Sequence, residues 1–212
     1  MSASTRELIK DSAEQFASNT RRHELTVVRD DGLHRHLRFR APDSGFYWFD
    51  LVTWPGYLTF VGDWPAHVFA RVPDMFEFFR GKSGWNRDTI NPGYWAEKLQ
   101  SDRNCAMRYS EHKFRSLVAD DVDQYADEWP GLRDAVAAQI LGDEAHWDIA
   151  FEDGAREALR DFEFRLNDRR VFAFEGAWEW DFADWDWAFL MACHAIQWGI
   201  AQYDARITGG TS

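Results

Sequence analysis

The chain has 212 residues, 45% hydrophobic and 28% charged, with a formal net charge of −12 at pH 7 and two cysteines. That length buries a core without disulfides, and two cysteines with no CxxC or Cys/His ligand spacing supply no structural zinc site. Phosphate neutralisation needs clustered Lys and Arg, so the acidic balance argues against direct binding of DNA or RNA and permits docking onto a basic partner.

Residues 1–22 read as a polar opening segment with a short helical pattern at Leu8, Ile9 and Phe16. Residues 23–206 are expected to form a single α+β domain, since no Pro/Gly/Ser-rich linker divides them, and 207–212 a flexible tail. With 12 Trp and 17 Phe, the core should be rich in aromatic rings. The opening residues carry no apolar signal segment, and the run 187–201 is interrupted by His194 and Gln197, too short to span a bilayer. A cytoplasmic protein without membrane association is the expectation.

Leu25 and Val27 open the first strand, and Asp31-Gly32 is the strongest hairpin signal because both positions favour positive φ. The returning strand, 33–40, alternates: Leu33, Arg35, Leu37 and Phe39 share one face, and His34, His36, Arg38 and Arg40 the other. After a turn at 42–45, a third strand at 46–53 is apolar on both faces and so central, with Trp48 and Asp50 on one side. Trp54-Pro55-Gly56 and residues 62–65 turn the chain twice more, around strands at 57–61 and 67–71. Connections this short make an antiparallel meander of about five strands.

Pro73-Asp74 opens a helix with Met75, Phe76 and Phe79 as its buried stripe, and Asn91-Pro92 starts another with Tyr94, Trp95 and Leu99. Ser110 caps a helix carrying Phe114, Leu117, Val118, Val122 and Tyr125, and Pro130 begins one carrying Leu132, Val136 and Ile140. Trp147, Phe151, Ala155 and Leu159 mark a further helix that Gly154 weakens. The period then changes to two: Phe162, Phe164 and Leu166, a turn at Asn167-Asp168, then Phe172 and Phe174. This late β-hairpin is expected to add to the first sheet, with Trp178, Trp180 and Phe182 continuing the alternation. The last helix, 185–203, is apolar almost all round from 187 to 200 and should be the central buried one. The expected fold is thus α+β: a five-stranded meander and a late hairpin packed against several helices.

The candidate ligand site is the sheet face of His34, His36, Arg38 and Arg40, joined by Trp48 and Asp50 and by His67 and Arg71. Arginines and a carboxylate beside a ring can hold a phosphate or carboxylate group and stack a base; the same face also reads as the wet side of an antiparallel sheet. His34 and His36, with Asp50, Asp63 or His67, lack the further ligands a metal site needs, so no metal or cofactor is assigned. No GxSxG elbow, P-loop or GxGxxG is present. Cys105 lies between Arg103 and Arg108, where a thiol pKa can fall, a setting more often incidental than catalytic. His194 reads as a hydrogen-bonded core residue. No catalytic residue is assigned, which favours a binding protein over an enzyme. The candidate partner-binding residues are Asp120, Asp121, Asp123, Asp127 and Glu128, within a carboxylate-rich run at 120–157. Carboxylates there can occupy a groove meant for phosphates, and a solvated helix face accounts for them as well.

The words HRHLRFRAPDSGFYWFDLVTWPGYLTFVGD, VFARVPDMFEFFR, INPGYWAEKL and the closing WDWAFLMACHAIQWGIAQYD resemble those of an uncharacterised family of proteins carried by bacteriophages and prophages, over about residues 22–204. The turn Gly62-Asp63-Trp64-Pro65 departs from the family's Gly-Asp-Met-Gly-like turn. The resemblance implies an accessory protein that binds and inhibits or modulates a host protein or nucleoprotein complex, such as a bacterial defence system in the manner of an anti-CRISPR. The alternative it leaves open is a protein that binds, sequesters or hydrolyses a nucleotide signal on the His/Arg face. A homodimer through an exposed sheet edge is a further expectation.

Overall fold

A computed structural model describes residues 3–80, 90–142 and 145–209, so Gly81, Asp143 and Glu144 lie outside the described residues. The chain divides into two compact units, unit 1 comprising Met1–Ala106 and Trp185–Ser212 and unit 2 comprising Met107–Asp184. Unit 1 contains α1 (Ala3–Thr20), β1 (Glu24–Asp31), β2 (His34–Arg40), β3 (Phe49–Trp54), β4 (Tyr57–Gly62), β5 (His67–Ala70), α2 (Met75–Arg80) and α3 (Pro92–Ala96). Unit 2 contains β6 (Met107–Tyr109), α4 (Glu111–Tyr125), α5 (Leu132–Val136), α6 (Glu152–Asp161), β7 (Phe164–Leu166) and β8 (Arg169–Phe172). The closing strand β9 (Ala183–Trp185) pairs with β6, and α7 (Trp187–Gly209) returns to unit 1.

In unit 1 the five strands pair antiparallel in sequence order, as their short connections require. Strand alternation puts Leu37 and Phe39 opposite Leu51 and Phe49, and carries the same face on through Phe60, Leu58 and Phe69. All seven side chains are buried, and α7 lies on them. The close approach depends on Gly199, where a Cβ would stand 2.8 Å from Leu51 Cδ1 and 3.1 Å from the Phe39 ring. The rings of Phe39 and Phe49 stack at 4.7 Å, with Trp198 edge-on to both. The polar opening segment is mostly α1, which buries Ser12, Phe16 and Thr20 and sets Phe16 beside Phe49, His194 and Trp198.

The α+β class is as expected, with α7 buried along its length from Phe189 to Ile200 and continuing to Gly209. Four local expectations give way. The third strand begins at Phe49 rather than at residue 46, because Tyr47 adopts φ 62°. Asp63 accepts the Tyr47 backbone N–H and His23 Nε2 meets its carbonyl, which hold that rare conformation. The first hairpin turns at Gly32-Leu33, not Asp31-Gly32: Asp31 pairs with His34 and only Gly32 has positive φ.

The late hairpin is the third correction. It forms a separate two-stranded sheet, and its Phe172 packs with Phe162 and Phe174 in the core of unit 2. Its Asn167-Asp168 turn is as read, with φ of 51° and 63°. At the far side of the first sheet, β5 is already paired: Ala70 N–H donates to Lys98 O at 3.0 Å and Gln100 N–H to Val68 O at 2.7 Å. The alternation expected through Trp178 instead breaks at Gly176, whose φ of 74° starts a 3-10 turn, Ala177–Glu179.

Unit 2 closes its own core with Phe114, Val118 and Val122 of α4, Leu132 and Val136 of α5, and Ala155, Ala158 and Leu159 of α6. Ser110 caps α4, accepting from the Lys113 backbone N–H. Gly154 turns out to be needed: a Cβ there would stand 2.2 Å from the Asp148 carbonyl oxygen, so the chain can fold back over α6 only at glycine.

Candidate functional site

Register builds the sheet-face cluster. Arg38 lies opposite Asp50, and His36 opposite Val52, so alternation directs His36, Arg38 and Asp50 to the face away from α7. Arg38 donates from Nε and Nη2 to the two oxygens of Asp50, at 2.9 and 2.8 Å, and His36 Nε2 lies 2.7 Å from Asp50 Oδ2. Trp48 sits beside them, with the Arg38 guanidinium 5.8 Å from its ring centroid. Asp50 is only 4% exposed. Burial works to raise its pKa, and the hydrogen bonds from Arg38 and His36 outweigh burial and hold it below the ordinary carboxylate value.

Acidic residues of β1 stand across from the other two β2 candidates. Arg40 is paired in register with Glu24 and His34 with Asp31, while Arg29, opposite His36, forms an ion pair with Asp31 at 3.1 Å. His67 is elsewhere: it faces the α7 side between Phe60, Phe69 and Phe189 and is 1% exposed. Arg71 is exposed just beyond the end of β5. The structure therefore brings together His36, Arg38, Asp50 and Trp48, flanked along β2 by His34 and Arg40, and leaves His67 and Arg71 apart. Chemically, the anion for which Arg38 and His36 are arranged is the protein's own carboxylate.

Two pairs, one half-buried and one buried, have the residue types of nucleophilic catalysis. Cys105 Sγ lies 3.5 Å from His67 Nδ1. Burial lowers the His67 pKa, with Asp186 opposing, so the imidazole resists taking the thiol proton. Ser12 donates its hydroxyl proton to the Ile9 carbonyl at 2.8 Å, leaving its oxygen to accept from His194 Nε2 at 3.0 Å. A fully buried serine so committed fastens α1 to α7. Among the described residues, no group of three or more His, Cys, Asp and Glu side chains converges as metal ligands do.

The acidic candidates lie on and just after α4. Asp120, Asp127 and Glu128 are exposed, Asp123 accepts from Arg133 Nε at 2.8 Å, and burial raises the pKa of Asp121. Division of the chain into units gives these residues a context. Unit 2 carries 20 Asp and Glu against 9 Lys and Arg, a formal −11, whereas unit 1 carries 16 against 15, a formal −1. Almost all of the net charge belongs to one unit.

Among the surface aromatics that escaped sequence reasoning are Phe151 and Trp178 of unit 2. Phe151, read as part of a helix stripe, precedes α6 and is 67% exposed, and Trp178, read as a strand residue, is 78% exposed. The signal was present in their neighbours, Glu152-Asp153 and Glu175-Gly176 with Glu179, which do not suit a core. No protein-family model matches the chain, and no match is found among curated proteins or solved structures. No helix among the described residues is long and apolar enough to cross a membrane.

Proposed function

We propose that the protein acts by non-covalent binding, presenting unit 2 to a basic surface on a host protein or nucleoprotein complex and so inhibiting or modulating it. The observation that carries this reading is the charge division, −11 on unit 2 against −1 on unit 1. A field concentrated on one unit speeds encounter with a positive partner and rejects nucleic acid and other acidic proteins. Partners of that kind include bacterial defence effectors, whose basic grooves hold nucleic acid and would accept carboxylates in place of phosphates. The host-directed role is proposed on the sequence's resemblance to phage-carried proteins.

A nucleotide-binding role for the His36, Arg38 and Trp48 face ranks second, because Asp50 already takes the donors that a phosphate would use. The test is affinity purification from a bacterial lysate with the full chain and with an Asp120→Lys, Asp127→Lys, Glu128→Lys variant. The expected result is a basic protein captured by the parent, released by salt and lost from the variant. Capture of the same proteins by both would overturn the reading, as would a bound nucleotide that Arg38→Ala removes.

A further inference from the structure

Resting on that reading, we propose that a contact point on unit 2, in addition to the α4 carboxylates, is the group of Phe151 and Trp178 with Glu152, Asp153, Glu175 and Glu179, and that its occupant is an arginine-bearing segment of the partner protein. Single exposed aromatics are ordinary. Here the side chain of Glu152, next to Phe151, and the backbone of Trp178 are joined through one guanidinium. Arg156 donates from Nε and Nη2 to Glu152 Oε1 at 2.9 and 2.7 Å, and from Nη1 to the Trp178 carbonyl at 3.5 Å. Its Nη2 also donates to Trp180 O at 3.3 Å, and its guanidinium lies 4.7 Å from the Phe182 ring centroid. The residue after Phe151 and the backbone of Trp178 are thereby held on one scaffold.

The backbone on each side is fixed before any partner arrives. The Phe151 carbonyl accepts the Ala155 N–H at 3.0 Å, opening α6, and Trp178 sits in a 3-10 turn set by the positive φ of Gly176. Rings displayed on fixed backbone lose little freedom on binding, which suits them as anchors.

Charge chooses the occupant. Exposed carboxylates close in sequence to the two rings, of which Glu152 is held by Arg156 and Asp153, Glu175 and Glu179 add further negative charge, repel phosphates and anionic headgroups and attract cations. Arginine fits better than lysine, because its planar fork meets a carboxylate two-handed while its face stacks on a ring. The chain already uses this pairing internally: Arg156 joins Glu152 and Phe182, and Arg35 joins Asp74 and Phe76.

The experiment uses the full chain and three fluorescein-labelled peptides of equal length, alternating glycine with arginine, lysine or glutamate, followed by fluorescence anisotropy across a salt series. The parent should bind the arginine peptide most tightly and the glutamate peptide not at all. Phe151→Ala with Trp178→Ala should weaken the arginine peptide by about tenfold to a hundredfold, as loss of aromatic anchors does. Its salt slope should not change, since no charge is removed, and an unchanged melting temperature shows that the fold is intact. Trp178→Glu alone, which removes a ring and adds charge, should also weaken binding. If either variant binds as tightly as the parent, the patch is wrong while the basic-partner reading stands. If the parent binds neither basic peptide, that reading fails and the patch with it.

Discussion

Arg35 donates from Nη1 and Nη2 to the two carboxylate oxygens of Asp74, at 2.9 and 3.0 Å, while its guanidinium stands 4.6 Å from the centroid of the Phe76 ring. A charge from the core face of β2 is thus neutralised by the residue that opens α2, and Asp74 also accepts the Phe76 N–H at 2.9 Å. Removing the carboxylate strands a buried cation. Asp74→Ala should cost about 3 kcal/mol in urea unfolding, near the low end for a broken buried pair because Asp74 is not fully enclosed. The double variant Arg35→Met, Asp74→Leu should recover part of that loss, since it removes both charges together.

Acid acts first through two buried histidines, His67 in unit 1's core and His194 between α1 and α7. Burial lowers the His194 pKa to about 4, against roughly 6.5 in an unfolded chain. The unfolded state therefore binds the proton more readily between these values. The His194 contribution is complete above pH ~6.5 and is lost as pH drops toward 4, by up to about 3 kcal/mol, with His67 adding a loss of the same sign. His194→Gln should flatten that part of a urea-midpoint profile against pH. Asp50 and Asp74, both held below the ordinary carboxylate value, should add their losses only at lower pH.

Gly154→Ala should destabilise despite alanine's better helix propensity. The added Cβ would meet the Asp148 carbonyl at 2.2 Å, and backbone on both sides must move. A loss of about 2 kcal/mol or more in the chemical-denaturation midpoint is expected, on the scale of overpacking. Gly209→Ala, in α7 with open space around it, should instead be neutral or gain up to roughly 1 kcal/mol.

Only one thiol should react quickly with a disulfide reagent in the native protein. Cys105 is half-buried, whereas Cys193 is enclosed and its pKa is pushed far up by burial. Two thiols per chain should react after unfolding. Cys105→Ser should remove the fast native phase entirely.

Strand content was legible because alternation needs only a period. Leu37 and Phe39 declared one face of β2, His36 and Arg38 the other, and the register obeyed. The capping of α4 by Ser110 and the stripe of α2 were equally plain, being local. Tyr47 was not legible, since its conformation is imposed by Asp63 and His23, distant in sequence. Nor was the place of the late hairpin, because strands of three and four residues fix no partner beyond their own turn. In the site, Asp50 beside Arg38 could be read from spacing. That the carboxylate satisfies the arginine, and that His67 turns the other way, required the register of five strands.

The pairing of residues 98–100 with β5 reaches beyond the architecture of unit 1. With that margin taken, β1 is the sheet's remaining free edge among the described residues, and it carries an irregularity between Val27 and Arg29 together with charges at both ends. Among the described residues, β1 is therefore where sheet-to-sheet growth of this unit would start. Two copies meeting along β1 would form a closed, two-fold pair rather than a filament.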